Sequence, residues 1–483
     1  MQLKAIFRIL GILIMIFSIN MLPPIIVALY YGEVGSISPF IKTFLMSFVS
    51  GFLLWLFCYR GSYELKVRDG FLLTTLAWVT LSVYGAIPFM LTVSPHSFMN
   101  AFFESVSGLT TTGAEVFTGL NSWQHSLIFY HQQLHFFGGM GILVLAVAIL
   151  SFLGVGGMQL YRAESSGPVK DSKITPRVMS TAKLLWSIYI ILTVCCAIAY
   201  WFMGMTIFDA ICEAFSTIAT GGFSIHDESF AYYNNLAVDV VAIVFMILAA
   251  SNFGLHYLFI RHKRIAHYWQ DLEFRVFICT LAVVSAVVII MLLVYHIYPT
   301  PIASAVKGSF AVVSLISTTG FSDGAFSQWP TFVPFLIMFA TLIGGCASST
   351  AGGIKVIRIA LMQKAGLREL KRLLRPRAVI PIKIGEEVLS ETILQGVFGF
   401  FIVYIMLYVL LLLSLVGAGT DITTAFGVLS ACIANAGMAM GKASSNFSEI
   451  NEVSKGILIF AMLIGRLEIF TVLILFVPEF WRS

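Results

Sequence analysis

Ten long apolar runs divide the chain, and each is long enough to cross a membrane as a helix. About 20 consecutive apolar residues span the roughly 30 Å hydrocarbon core of a bilayer. The predicted spans lie near residues 6–29, 40–58, 71–93, 126–153, 184–203, 236–260, 275–297, 332–362, 394–416 and 456–478. The pattern therefore predicts an all-α polytopic membrane protein.

Four shorter apolar segments lie between these spans, near residues 97–109, 207–218, 302–316 and 422–433. Each has only about 12–15 residues, a length that suits a re-entrant half-helix better than a full span. A surface amphipathic helix would explain one such segment. Because all four end in the same kind of turn, we favour the re-entrant interpretation.

Each predicted half-helix runs into a turn of small residues that carries a glycine at the same offset. The turns are Thr110, Thr111, Thr112 and Gly113; Ala219, Thr220, Gly221 and Gly222; Ser317, Thr318, Thr319 and Gly320; and Ala434, Asn435, Ala436 and Gly437. The unit of span, half-helix, glycine turn and span thus occurs four times in one direction. This predicts parallel pseudo-fourfold symmetry around a central pore, in contrast to the inverted repeats of many secondary transporters.

The repeats predict the organisation of the whole chain. A two-span prefix covers residues 1–66, and the four repeats cover residues 67–178, 179–270, 271–385 and 386–483. The third repeat contains a predicted intramembrane loop.

The chemistry of the turns favours a cation filter. Glycine adopts positive φ without steric cost, so it can turn carbonyl oxygens toward an axis. A ring of such oxygens replaces the hydration shell of a monovalent cation, and the negative ends of the half-helix dipoles add to the attraction. Glycine is also a common packing residue in membrane helices, but the shared offset favours the filter. Only one glycine per turn is common to all four, so the filter should be short.

Composition and charge agree with a membrane protein. The 483 residues are 59% hydrophobic and only 11% charged, and the mean hydropathy is +0.93. The net charge of +5 comes from basic clusters between spans, so it indicates no nucleic-acid partner. These clusters fall in alternate gaps, which places both termini in the cytoplasm. The seven cysteines form no CxxC pair and are interpreted as packing residues.

The predicted second span of the third repeat is interrupted by ten small residues: Gly344, Gly345, Cys346, Ala347, Ser348, Ser349, Thr350, Ala351, Gly352 and Gly353. Such a stretch does not form a stable helix by propensity, and irregular backbone at membrane depth must be buried or line a cavity. We interpret it as an irregular loop that lines a cavity beneath the filter, and it resembles the intramembrane gating loop of a known family of membrane proteins. A tightly packed helix crossing is the alternative.

Arg466 lies inside the last predicted span, with Glu468 two residues later. An intramembrane arginine is costly and marks a functional site by default. A cation below the filter would repel the transported ion and close the path at rest. The alternative is a structural Arg466–Glu468 pair, but residues two apart on a helix do not face each other.

Carboxylates follow the first three turns. Glu115, Asp227 and Asp323 would concentrate cations at an outer mouth, or else they are ordinary loop charges. The basic stretch from Lys364 to Lys383 would bind anionic lipid headgroups or an acidic partner, or it serves topology alone.

Other function classes find little support in the sequence. A membrane enzyme would need convergent His, Asp or Glu residues, and no HExxH, GxSxG or Walker motif occurs; His131 and His135 are interpreted as interface residues. A proton- or sodium-coupled symporter stays open as an alternative. Glu104 and Glu213 in the first two half-helices are its visible candidates, although stabilising nearby backbone is their simpler role.

The whole chain resembles the TrkH/TrkG branch of the TrkH–KtrB potassium transporter superfamily. The motifs that carry the resemblance are Arg68–Phe71, Thr110–Ala114, Phe137–Gly141, Gly156–Tyr161, Gly167–Pro168, Gly221–Ser224, Gly344–Cys346, Gly352–Lys355 and Gly465–Glu468. Two positions depart from the family pattern. Ala434 stands where asparagine is usual, which predicts looser discrimination against sodium, and Ser348 replaces a usual glycine in the loop.

The resemblance implies potassium uptake across the bacterial inner membrane, with K⁺ as the transported ion and no organic cofactor. It implies a homodimer in which each subunit has its own pore. It also implies regulation by a cytosolic, TrkA-like nucleotide-binding ring, which we expect to dock on the segments Arg162–Lys183 and Arg368–Lys383.

Overall fold

The fold was analysed in a computed structural model, which describes residues 2–59, 67–94, 96–139, 141, 178–324, 326–384 and 387–482. Most of the predicted basic segment Arg162–Lys183 and the motifs from Gly156 to Pro168 lie outside these residues. The predicted span 126–153 is described only as the helix His125–Gly139.

Six helices in the described part of the chain are long and apolar enough to cross a membrane. The first, Leu3–Tyr31, consists of two helices, Leu3–Ser18 and Leu22–Tyr31, joined by a short 3₁₀ turn. The other five are Val34–Phe57, Val67–Thr92, Val178–Phe202, Leu272–Val294 and Glu391–Gly417. All six coincide with predicted spans.

The four predicted half-helices are confirmed, and their starts are set by local sequence. Half-helices 1 to 4 are Phe98–Leu109, Ile207–Ala219, Pro301–Ile316 and Ile422–Ile433. In each, the preceding side chain accepts a hydrogen bond from a backbone N–H of the first turn and so satisfies a free donor of the helix end. These capping residues are Ser97, Thr206, Thr300 and Asp421.

The second spans of repeats 2 and 4 are broken, so the prediction of continuous spans was wrong there. In repeat 2, Leu236–Ala249 and Phe253–His262 meet at 96°, and the side chain of Asn252 caps the second helix. In repeat 4, Glu452–Leu467 and the segment Ile469–Phe476 meet at 115°. An apolar run satisfies the composition of a span but does not show where the helix bends.

The break in repeat 3 is the predicted small-residue stretch. The helix Phe332–Thr341 ends before it, and the helix Val356–Leu374 begins after it. The chain then forms a two-stranded antiparallel pair, Lys383–Ile384 with Glu387–Val388. Short helices at Ala266–Gln270, Ile469–Leu473 and Pro478–Trp481 complete the described α-helices, and several 3₁₀ turns lie in the loops.

The repeats pack in a closed ring. Each half-helix packs against the first span of its own repeat and against the second span of the preceding repeat. The second-span helices that make these contacts with half-helices 2, 3, 4 and 1 are, in that order, His125–Gly139, Leu236–Ala249, Phe332–Thr341 and Glu452–Leu467. Because the last repeat contacts the first in the same way, the arrangement is parallel and pseudo-fourfold, as the sequence predicts.

The two-span prefix packs against the outside of this ring. Leu3–Ser18 contacts both Val34–Phe57 and Val67–Thr92. A Cβ built at Gly11 would lie 2.6 Å from the carbonyl oxygen of Gly51, so the two helices cross at a point where only glycine fits. Small residues at a crossing are typical of helices that associate in a bilayer.

Candidate functional site

The four glycine turns meet at the centre of the ring. Gly113, Gly222, Gly320 and Gly437 all have positive φ, at 76°, 92°, 87° and 65°. A Cβ built on each would lie between 1.9 and 2.3 Å from a main-chain oxygen of the next turn. In ring order, the oxygens belong to Gly221, Thr319, Ala436 and Thr112. The turns therefore close on one another, and a side chain at any of these glycines would clash with backbone.

Each turn begins as the C-terminal cap of its half-helix. The residue two positions before the glycine has positive φ. The residue immediately before the glycine donates its N–H to the carbonyl oxygen five residues earlier, and this N···O distance is 2.8 Å in all four repeats. This is the pattern of a Schellman cap. The positive-φ residues are Thr111, Thr220, Thr318 and Asn435. Positive φ therefore recurs at alternate residues, which changes the direction of the backbone twice within each turn.

The turn after each half-helix carries the same number as that half-helix. Side chains also join turn 4 to turn 1. The amide Nδ2 of Asn435 donates to Thr112 Oγ1 at 2.9 Å and to the carbonyl oxygen of Met462 at 3.0 Å. Asn435 thus ties turn 4 to turn 1.

Buried carboxylates hold the backbone that follows turns 1 and 2. Glu104 Oε2 accepts the N–H of Val116 at 2.8 Å, and Glu213 Oε1 accepts the N–H of Ile225 at 3.1 Å. Glu104 Oε1 also lies 2.7 Å from Nε2 of His131. These contacts give both glutamates the stabilising role that the sequence analysis named as the simpler one.

Two serines support the turns in positions that sequence reasoning missed. Ser216 Oγ accepts the N–H of Gly222 at 2.9 Å and lies 3.0 Å from Nδ1 of His135. Ser314 Oγ donates to the carbonyl oxygen of Phe321 at 2.8 Å. His135 is therefore a buried part of the turn support and not an interface residue. Small polar residues on half-helices are the only sequence signal for this role.

A cavity of about 490 Å³ opens on the face from which the half-helices start. All four ring glycines line it, together with two of the predicted outer-mouth carboxylates, Glu115 and Asp227. Glu115 Oε1 accepts the N–H of Ser224 at 3.3 Å, and Asp227 Oδ1 accepts the N–H of Gly119 at 2.8 Å. The cavity thus brings carboxyl groups directly above the ring.

Asp323, the third predicted carboxylate, has a different environment. It is not among the residues that line this cavity, and both of its carboxylate oxygens lie 2.7 Å from the ammonium nitrogen of Lys307. Its charge is paired inside the protein.

The small-residue loop lies beneath the ring, on the side opposite the cavity. The N–H of Gly352 donates to Thr318 Oγ1 at 2.7 Å, and a Cβ at Gly352 would lie 2.2 Å from the carbonyl oxygen of Ala434. Thr350 Oγ1 lies 3.0 Å from the carbonyl oxygen of Ile218. The loop therefore touches the ends of half-helices 2, 3 and 4.

The loop is folded and tightly anchored. The N–H of Cys346 donates to the carbonyl oxygen of Ala250 at 2.9 Å, within the break of repeat 2. Ser348 has φ of +55°, a conformation that favours glycine, so the backbone is strained at this residue. A hydrogen bond from the N–H of Phe253 to the carbonyl oxygen of Ser348, at 3.0 Å, stabilises this strained conformation.

Glu273 is an anchor that the sequence analysis missed. Its Oε1 accepts the N–H of Ala347 at 2.7 Å and the N–H of Ile357 at 3.2 Å, and the residue is only 6% exposed. One carboxylate oxygen thus holds the loop and the start of the helix that follows it. The sequence signal, a lone acidic residue at the start of a span, is too common to identify this role.

Arg466 reaches both the loop and repeat 1. Its Nη1 donates to the carbonyl oxygen of Thr350 at 2.9 Å, and its Nη2 donates to the carbonyl oxygens of Gly138 and Gly139 at 2.5 and 3.0 Å. Glu468 instead forms an ion pair with Arg358, with 2.8 Å between Nη2 and Oε1. Glu468 has φ of +61° at the bend of the last span, so the helix that carries Arg466 ends at this residue.

A smaller cavity of about 130 Å³ adjoins the loop and carries mostly positive charge. Its lining includes Arg466, Lys355 and Arg358, with Glu468 as the acidic member. Lys355 donates from its ammonium group to the carbonyl oxygen of Ala351. In the described part of the chain, no group of three or more His, Cys, Asp or Glu residues is placed to hold a metal ion.

Comparisons with known proteins identify the family. The model of the TrkH family, described as cation transport protein, matches residues 36–483. Over the full length of both chains, the sequence is 47% identical to the Trk system potassium uptake protein TrkH of Vibrio parahaemolyticus and 46% identical to that of Escherichia coli. It is 38% identical to TrkG of Escherichia coli over 98% of this chain and 97% of TrkG.

A solved structure agrees with the sequence comparisons. The crystal structure of the potassium transporter TrkH from Vibrio parahaemolyticus matches with a TM-score of 0.90 and 44% identity, and each chain is covered completely. These relatives are transporters and not enzymes. The predominantly helical fold, the closed ring of glycine turns and these matches together show that the chain belongs to the TrkH family of cation transport proteins.

Proposed function

We propose that this chain is the ion-conducting subunit of a potassium uptake system. The observation that carries the proposal is the closed ring of four glycine turns between two cavities of opposite charge. The relatives named above are potassium uptake proteins, which gives the transported ion. K⁺ is the cargo of the pore, and the proposal needs no organic cofactor.

The filter in this proposal consists of main-chain carbonyl oxygens of the four turns, from Thr110–Gly113, Ala219–Gly222, Ser317–Gly320 and Ala434–Gly437. Neutral oxygens replace water around K⁺ without binding it too tightly to leave. Positive φ at alternate residues supports this role, because it reorients successive carbonyl groups within each short turn. Glu115 and Asp227 then raise the cation concentration at the mouth.

The gate in this proposal combines the loop Gly344–Gly353 with Arg466. The loop lies directly beneath the ring, and the arginine is hydrogen-bonded to it. A guanidinium near the ion path repels K⁺, and the repulsion is strong where water is excluded. Opening requires the loop and the arginine to move away together, because each holds the other in place.

The orientation follows from the distribution of basic residues. We place the larger cavity outside the cell and both termini in the cytoplasm, in the inner membrane of a bacterium. The half-helices then enter from outside, and their negative C-terminal ends face the ring from that side.

Two partners complete the proposal: a second copy of the chain and a cytosolic nucleotide-binding subunit of the TrkA type. The helix Val356–Leu374 supports a docking role, since it combines basic residues with exposed leucines. Leu370 and Leu374 are 61% and 84% exposed, near Lys371 and Arg372. It follows the gating loop directly in the chain, so docking on this helix acts on the loop.

Uptake by cells tests the proposal. The chain should restore growth at low potassium to a bacterium that lacks its own uptake systems, and Rb⁺ should compete for uptake better than Na⁺. A folded, membrane-inserted chain that fails to restore growth would reject potassium uptake. Equal competition by Na⁺ would reject the filter while leaving cation transport in place.

A further inference from the structure

Three charged side chains meet where repeat 2 packs against repeat 3. Asp239 lies in the first turn of Leu236–Ala249 and is 1% exposed. Lys307 lies on half-helix 3, and Asp323 follows Gly320 by three residues. Lys307 Nζ lies 2.7 Å from each carboxylate oxygen of Asp323. The group therefore connects the exit of turn 3 to the second span of repeat 2.

Asp239 is not satisfied by the protein around it. Both of its carboxylate oxygens are buried without a hydrogen-bond partner among the described residues. The carboxyl group that faces it belongs to Asp323 and is within hydrogen-bonding reach. Two ionised carboxylates have no hydrogen to share, so their contact is repulsive.

The charge count leaves one negative charge without compensation. If both carboxyl groups were ionised, two negative charges would face one ammonium group. The second carboxylate would then be a buried charge without a partner, which is strongly unfavourable. A proton on Asp239 removes this charge and supplies a donor to Asp323, as in carboxyl pairs that share one proton. A metal cation would be repelled by Lys307 in the same cluster, so a proton fits better.

The neighbouring elements offer Asp239 no other ionic partner among the contacts of the described residues. On half-helix 2, Glu213 is bonded to Ser224 and Ile225, and Asp209 interacts with His226. On Val178–Phe202, the hydroxyl of Tyr200 is bonded to Thr217. The phenol of Tyr298 interacts electrostatically with all three members of the cluster and is partly buried, but it is not an ionic partner.

We propose that Asp239 and Asp323 form a proton-binding site whose occupancy opposes K⁺ binding from the outer side. The inference rests on the proposed function. Asp323 is on the segment that leaves turn 3, so loss of the proton places an additional negative charge beside the filter and favours a cation there. Coupling of this kind is reciprocal: K⁺ in the filter promotes release of the proton.

Infrared spectroscopy of the purified protein tests the site without transport. The spectrum should contain the carbonyl band of a protonated carboxyl group that disappears in Asp239→Asn and shifts in Asp239→Glu. A spectrum in which Asp239→Asn removes no such band would overturn the proposal. If Asp239→Asn fails to fold, Asp323→Asn should change the same band, because it alters the acceptor of the proton.

The pH dependence of transport tests the coupling. In the wild type, the KM for Rb⁺ should rise by about tenfold as the external pH falls, as expected from one nearby charge. Asp239→Asn should give a high KM with little pH dependence, whereas Asp239→Glu should restore the dependence. Glu452→Gln is the matched control, since Glu452 occupies the first turn of the corresponding helix in repeat 4 and is exposed.

The two tests separate the proposals. A pH dependence in Asp239→Asn equal to that of the wild type would overturn the coupling. Absence of Rb⁺ transport in every variant, with the infrared band present, would reject the proposed function and leave the proton site in place.

Discussion

The guanidinium of Arg466 donates a hydrogen bond to the carbonyl oxygen of Thr350 across 2.9 Å. The hydroxyl of Thr350 in turn lies 3.0 Å from the carbonyl oxygen of Ile218, at the end of half-helix 2. One loop residue therefore connects the partly buried Arg466 of repeat 4 to the end of half-helix 2, beneath the ring. This contact makes the arginine and the loop a single barrier in the proposed gate.

Replacing Arg466 with alanine should raise basal ion flux. A charge about 8 Å from the ion in an effective dielectric of about 20 contributes roughly 2 kcal/mol to the barrier. The substitution removes this charge and also three hydrogen bonds from Arg466 to the loop and to repeat 1. We therefore expect ⁸⁶Rb⁺ flux into liposomes to increase about tenfold or more. Selectivity should be unchanged because the ring is untouched.

Arg372→Ala is the matched control for that experiment. Arg372 is an arginine in the last turn of Val356–Leu374, is partly exposed, and pairs with Glu369 on the same helix. It should leave basal flux of the isolated chain unchanged. Unchanged or reduced flux in a folded Arg466→Ala protein would mean that the arginine is purely structural.

Serine at Gly113 or Gly320 should let Na⁺ pass. A Cβ at Gly320 would lie 1.9 Å from the carbonyl oxygen of Ala436, so the ring must deform to accept it. Positive φ adds about 1–2 kcal/mol of strain for a residue with a Cβ. We expect the K⁺/Na⁺ permeability ratio, measured from reversal potentials in bilayers, to fall several-fold.

Gly419→Ser separates strain from ring geometry. Gly419 has φ of +92°, close to that of Gly320, but a Cβ there meets no atom within 4 Å. It should therefore lose some thermal stability and keep its selectivity. If both ring variants retain the wild-type permeability ratio, the filter assignment fails.

Replacing Glu273 with alanine should loosen the gating loop. The change removes the acceptor of two backbone N–H groups, from Ala347 and Ile357, and each buried donor left unpaired costs about 1–3 kcal/mol. Cys346, which is buried beside this contact, is a natural reporter. In a background without the other cysteines, its reaction with a thiol reagent should accelerate at least tenfold.

Glu479→Ala provides the comparison for Glu273, because Glu479 is an exposed carboxylate near the end of the chain. It should leave the modification rate of Cys346 unchanged. Equal rates in wild type and Glu273→Ala would show that Glu273 does not hold the loop closed.

Charge reversal at Arg372, Arg375 and Arg377 should abolish stimulation by nucleotide while leaving basal flux. Arg372 lies in the last turn of the helix that follows the proposed gating loop, and Arg375 and Arg377 follow the end of that helix. All three provide part of the proposed docking surface. The measurement is flux in liposomes with and without the cytosolic subunit and nucleotide. A variant that still responds would place docking elsewhere, and a response of the isolated chain would show that no partner is needed.

The sequence by itself determined the elements that depend on local patterns. Long apolar runs define spans, capping residues such as Ser97 and Thr300 define where half-helices begin, and the common glycine offset defines the repeat. These features need only neighbouring residues, because helix propensity, capping and positive φ act within a few positions along the chain. The parallel fourfold organisation followed from their order.

Tertiary structure alone decided which groups meet. The last span bends at Glu468, and that residue pairs with Arg358. Glu273 accepts a hydrogen bond from the loop. The tertiary structure also moved Asp323 from the predicted mouth to a buried pair with Lys307. Apolar composition indicates that a segment is buried in membrane or protein, but it does not indicate where the segment bends. The partner of a charged residue often lies in a distant part of the chain. Such contacts exist only once the repeats have closed their ring.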